Sequence, residues 1–263
     1  MKGKTKKKKV IWQQYIGMVF FVLMGAACGF LMVMYIDGFG TERTLHEEIL
    51  SLVGLLLGMY AAILVHLIIH EAGHLVFGLL SGYKFSSFRI FSLMWVKEGG
   101  KIKLRRLSIA GTGGQCLMTP PDIVDGKIPI ILYNLGGSLM NIIVGVVSLG
   151  LFFAFENVPF LSTVMLLFTV IGFILAIMNG IPMRLGTVDN DGYNAFALTR
   201  NAEAMRSFWL QMKTNDQIAK GVRLKDMPDE WFAVPSDEAM KNSMVVVMDG
   251  MTAFSNERGI KYS

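Results

Sequence analysis

Ile69-His70-Glu71-Ala72-Gly73-His74-Leu75 places three ionisable side chains inside an apolar run that extends from Ile49 to Leu80. The core of the stretch reads H-E-x-x-H. Residues four apart lie on one face of a helix, so His70 and His74 present their imidazoles side by side. Two imidazoles at that spacing can hold one zinc ion, with Glu71 beside it as a base for water. Ionisable groups within such an apolar run are costly and point to function. The plainer alternative is a pair of helix histidines bonded to neighbours. The glutamate inside the motif argues against it.

Working outward, the 263 residues are 53% hydrophobic and 17% charged, with a mean hydropathy of +0.49. That is too apolar for an ordinary soluble domain. Four long apolar segments recur, at about 10–36, 49–80, 129–155 and 160–181. Each is long enough to cross a bilayer. The expected fold is an α-helical, multi-span membrane protein. It has about four transmembrane helices and a β-hairpin at the membrane surface. The hairpin is expected at about 85–107, where Phe85–Val96 is rich in aromatic and β-branched residues. Gly99-Gly100 supplies its turn, and Lys101–Arg105 alternates polar and apolar. Gly111–Gly114 and Pro120-Pro121 mark irregular chain. Residues 1–9 form a basic tail, 10–192 the embedded core, and 193–263 a C-terminal tail, helical around Ala195–Lys213.

Charge sets the expected orientation. Six lysines crowd Lys2–Lys9, and eight basic residues lie between Lys84 and Lys127. The loop Asp37–Glu48 carries only Arg43 among four acids. The positive-inside rule then places both termini and the His74 end of the second span on the cytoplasmic side. Topology explains the net charge of +5, so no nucleic-acid partner is expected. The partners expected are the lipid bilayer and a membrane-spanning protein or hydrophobic peptide as substrate. Gly25 and Gly29 form a small-residue pair that leaves self-association open. Cys28 and Cys116 suggest no disulfide framework, and Cys116 reads as a plain loop cysteine.

A catalytic zinc usually has three protein ligands. Topology brings Asp191, just past the fourth segment, to the same membrane face as His70 and His74. Asp189 is the local competitor. Gly192 favours Asp191 by permitting a turn that aims the carboxylate back at the helix. His66, one turn before His70, reads as a hydrogen-bonded pocket residue.

Taken together, His70-Glu71-Ala72-Gly73-His74, Asn179-Gly180-Ile181-Pro182 and Asp191-Gly192 resemble the site-2 protease family of intramembrane zinc metalloproteases. Gly136-Gly137-Ser138-Leu139-Met140-Asn141 is similar to that family's Gly-Pro-x-x-Asn element, with Ser138 where a proline is common. The likeness covers about 49–192. It implies Zn2+ held by His70, His74 and Asp191, with Glu71 as general base. It implies that Asn141, Asn179, Gly136 and Gly137 help position substrate, and that the hairpin lies beside the active site. The activity implied is cleavage in or near a transmembrane or hydrophobic segment, by an integral protein of a bacterial-type cell membrane. The alternative is a metal or solute transporter using intramembrane His and Asp. Transporters commonly carry paired repeats, and none is visible in the chain.

Overall fold

The computed structural model describes residues 13–38, 44–108, 113–185 and 188–233. The basic tail, Val10–Trp12, most of the loop before the second helix, and residues 234–263 lie outside them. Four long helices dominate: α1 (Gln13–Gly38), α2 (Leu45–Leu80), α3 (Ile130–Ala154) and α4 (Pro159–Gly180). All four are long and apolar enough to cross a membrane. α2 starts four residues earlier than the apolar run. Thr44 and Glu47 form a capping box, each side chain bonding the other's backbone N–H. α4 starts on Pro159, whose missing N–H costs nothing at a helix start.

α3 packs against both α2 and α4, and α1 lies on α4. One core joins Cys28 and Met32 of α1 to Leu55 and Ala62 of α2 and to Leu167 and Ile171 of α4. The α2–α3 crossing is unusually close. A β-carbon on Gly73 would sit 2.3 Å from the Gly136 carbonyl oxygen. A β-carbon on Gly136 would sit 2.6 Å from the Gly73 oxygen. In an exposed helix, Gly→Ala gains up to about 1 kcal/mol. Here Gly73→Ala is expected to destabilise, by about 1–3 kcal/mol for overpacking against backbone. Thermal unfolding in detergent reads the sign, and an unchanged or higher midpoint would refute the close crossing. A β-carbon on Gly25 or Gly29 would meet nothing within 4 Å among the described residues.

The expected hairpin is a four-stranded antiparallel sheet. The run Phe85–Val96 is two strands, β1 (Lys84–Ile90) and β2 (Leu93–Glu98), which turn at Phe91-Ser92. β3 (Lys101–Arg106) follows the Gly99-Gly100 turn, where both glycines have positive φ. The segment expected to be irregular holds a fourth strand, β4 (Gly114–Thr119), paired to β1. The strand order is β3-β2-β1-β4. β3 is therefore the edge remote from the helices, exposed throughout, while β4 abuts α2.

After α4 come two short paired strands, β5 (Arg184–Leu185) and β6 (Val188–Asp189). The C-terminal region begins earlier than expected and in two pieces, α5 (Asp191–Ala197) and α6 (Ala202–Ala219). Asn201 divides them by capping α6, accepting from the Ala204 N–H. α6 packs on β4 and β1. Its Met205, Phe208 and Met212 share a second core with Cys116, Met118 and Tyr133.

A candidate metal centre where helix, strand and loop meet

His70, Glu71 and His74 lie near the C-terminal end of α2. Asp191 opens α5 and points back at them. Its Oδ2 is 3.0 Å from His70 Nε2 and 3.4 Å from His74 Nε2, and the two Nε2 atoms are 3.2 Å apart. With metal–ligand bonds of about 2.0–2.1 Å, tetrahedral zinc separates its ligand atoms by about 3.3 Å. The three contacts thus match three edges of such a tetrahedron. Two bare imidazole nitrogens facing each other also repel unless a cation or proton lies between them. The residues therefore fit a metal ion, and among the described residues they form the group able to hold one.

Asp189 does not join them. It sits on β6 opposite Arg184 in the pairing register. It lines the same cavity without belonging to the histidine group. The choice left open between the two aspartates thus falls to Asp191.

The aim of Asp191 is set by its neighbour. The Asn190 amide donates to the carbonyls of Met178 (2.7 Å) and Ile181 (2.6 Å). Its Oδ1 accepts from the N–H groups of Met183 and Tyr193, each at 2.9 Å. One side chain thus caps α5 and ties it to the C-terminal end of α4. Gly192 serves this tie by a different route from the turn expected of it. It lies inside α5, where a β-carbon would meet the Gly180 carbonyl oxygen at 2.2 Å. It lets α5 approach α4. Asn190 escaped the sequence reading, although an Asn-Asp-Gly before a helix is a capping signal.

The histidines are oriented from α3. His74 Nδ1–H donates to the Tyr133 carbonyl at 2.8 Å, which leaves the Nε2 lone pair facing the site. Burial alone would raise the Asp191 carboxyl. The positive charge available on His74, with hydrogen bonds from both imidazoles, outweighs it and holds the group well below the usual carboxylate range. A bound dication would take the place of that positive charge, with both imidazoles giving up their Nε2 protons.

Glu71 is buried beside the group, within reach of the Cys116 backbone N–H. The Tyr133 hydroxyl donates to the Cys116 carbonyl at 3.0 Å, so β4 is tied to both α2 and α3. Cys116 is a buried strand residue, not a loop one. Burial pushes its thiol up, with the Glu71 charge adding to this, so it stays a neutral thiol and a poor nucleophile.

A cavity of about 640 Å³ opens over the metal group. β4 and α6 both line it, α6 through Phe208, Gln211, Met212 and Asn215. Asn179 stands on its wall and donates to the Leu175 carbonyl. Asn141, Gly136 and Gly137 stand behind the histidines at the α2–α3 crossing and off the cavity surface. Among the described residues, the walls carry side-chain amides and no lysine or arginine. Comparison with protein-family models, curated proteins and solved structures finds no match to this chain.

Proposed function

We propose that this chain is an intramembrane zinc metalloprotease, cutting a peptide bond in or near a hydrophobic segment of a membrane protein or precursor peptide. The reading rests on one observation above all. Two imidazole nitrogens and a carboxylate oxygen converge at tetrahedral spacing with a buried glutamate beside them. The cavity supports a peptide substrate. Gln115, Asn179, Asn194, Gln211 and Asn215 offer amides, which both donate to and accept from an uncharged backbone.

When bound, zinc supplies Lewis acidity that polarises the scissile carbonyl and lets water act as a nucleophile near neutral pH. His70, His74 and Asp191 would hold it. Glu71 takes the water proton during attack and returns it to the amide nitrogen as the C–N bond breaks. Asn179 is placed to orient the substrate backbone from the cavity wall. A helical segment hides its peptide bonds in internal hydrogen bonds, so the substrate must unwind before it enters. Strand addition at β3 would leave three strands between it and β4, which lines the cavity, so the unwound chain is expected to lie in the cavity itself.

In this reading α1–α4 cross the bilayer, since all four are long and apolar enough and α1, α2 and α3 leave many large apolar side chains exposed, which a soluble monomer rarely does. The charge bias then places both termini in the cytoplasm. Reporter fusions at Glu42 and at the C-terminus should report opposite sides, and the same side for both would overturn the four-span arrangement. The function is tested with purified protein. Stoichiometric zinc with cleavage of a membrane-anchored peptide supports it. Zinc flux into vesicles without cleavage would replace it by transport.

A further inference from the structure

His66 lies one turn before His70, and the proposed reaction gives it no role. It is fully buried, as is Asn141 of α3. His66 Nε2 is 2.9 Å from the Phe168 carbonyl of α4. Its Nδ1 is 3.2 Å from one end of the Asn141 amide, and the other end of that amide is 3.4 Å from His70 Nδ1. A continuous line of polar contacts therefore runs from the α4 backbone through His66 and Asn141 to the back of His70. The fold clears space for both rings. A β-carbon on Gly172 would meet His66 Cε1 at 2.5 Å, and one on Gly137 would meet His70 Cε1 at the same distance.

Donors and acceptors along this line are not free to vary. A carbonyl can only accept, so His66 Nε2 carries its hydrogen. With the amide oxygen toward His66, Nδ1 would need a hydrogen as well. That would bury a cation whose partners are only a carbonyl and an amide. The same orientation turns the amide N–H toward His70 Nδ1 and leaves the His70 hydrogen on Nε2, where a metal must bind. The two ends of a side-chain amide share one outline, and their hydrogen bonds decide which end is oxygen. Turned end for end, the Asn141 N–H donates to a neutral His66 Nδ1. Its oxygen then accepts from His70 Nδ1–H, and the Nε2 lone pair faces Asp191 and His74.

We propose that His66 and Asn141 are positioning residues which, anchored on the Phe168 carbonyl, fix the tautomer of His70 that can ligate the metal. This rests on the zinc reading of the site. It gives His70 the counterpart of the Tyr133 carbonyl that fixes His74. Metal ligands of this kind depend on such partners, whose removal costs about 10–100-fold in metal affinity.

The test is zinc affinity of the full-length protein in detergent, by competition with a chelator, with helical content recorded alongside. Asn141→Leu removes the acceptor and should weaken binding by about 10–100-fold. Asn141→Asp keeps an acceptor for His70 Nδ1–H and should bind within a few-fold of wild type. A packing role predicts the reverse order, because leucine fills the site while aspartate buries a charge. His66→Phe should weaken binding in the wild-type background and add nothing to Asn141→Leu. Equal affinities for the two Asn141 variants, the reverse order, or unchanged affinity in His66→Phe would overturn the proposal. If Asn141→Leu does not fold, Asn141→Asp and His66→Phe decide it. Wild-type protein that binds no zinc would overturn the site reading itself, and this proposal with it.

Discussion

Glu71→Gln is expected to keep its zinc and to lose cleavage by about 10²–10⁴-fold, the usual contribution of a general base. The proposed ligands are His70, His74 and Asp191, so the substitution leaves that group whole. Glutamine has the shape of glutamate and keeps an oxygen for the Cys116 backbone N–H, so β4 should remain in place. What is lost is a group able to take a proton from water. Metal analysis and single-turnover cleavage on the same preparation separate the two effects. Cleavage near the wild-type rate would remove Glu71 from the reaction.

Asp191→Ala should lose both zinc and activity, while Asp189→Ala keeps zinc and most activity. The asymmetry follows from position. Asp191 Oδ2 contacts both imidazoles, whereas Asp189 lines the cavity outside that group. Loss of one of three ligands should exceed the 10–100-fold typical of a supporting partner. Chelator competition reads the difference directly. Zinc retained in Asp191→Ala and lost in Asp189→Ala would reverse the assignment.

The parts of the architecture that depend on local pattern were legible in the sequence. Apolar length marked the four helices, helical spacing paired the histidines, and Gly99-Gly100 marked a turn. The parts that depend on distant contacts were not. Phe91 turns the chain with φ 51°, a conformation no propensity assigns to phenylalanine. The turn holds because the Phe91 N–H bonds the Gly113 carbonyl and Arg89 bonds the Phe91 carbonyl. β4 follows a glycine-rich stretch and lacks clean alternation, since it is covered by α2 and α6 as well as by β1. The capping box at Thr44 was readable and went unread. The cavity wall from α6 was not readable, because nothing local links Gln211 to a histidine more than a hundred residues earlier.

The three proposed ligands do not share one support. His70 leans on Gly137 and His74 on the Tyr133 carbonyl, so both take their bearings from α3. Asp191 is fastened through Asn190 to the end of α4. An ion bound between them is therefore a clamp across two neighbouring helices, and its binding free energy becomes part of what keeps them in register. At a free concentration one thousand times the dissociation constant that linkage is about 4 kcal/mol, a large share of the stability of an ordinary domain. Loading the site and fastening the helix bundle are one thermodynamic event.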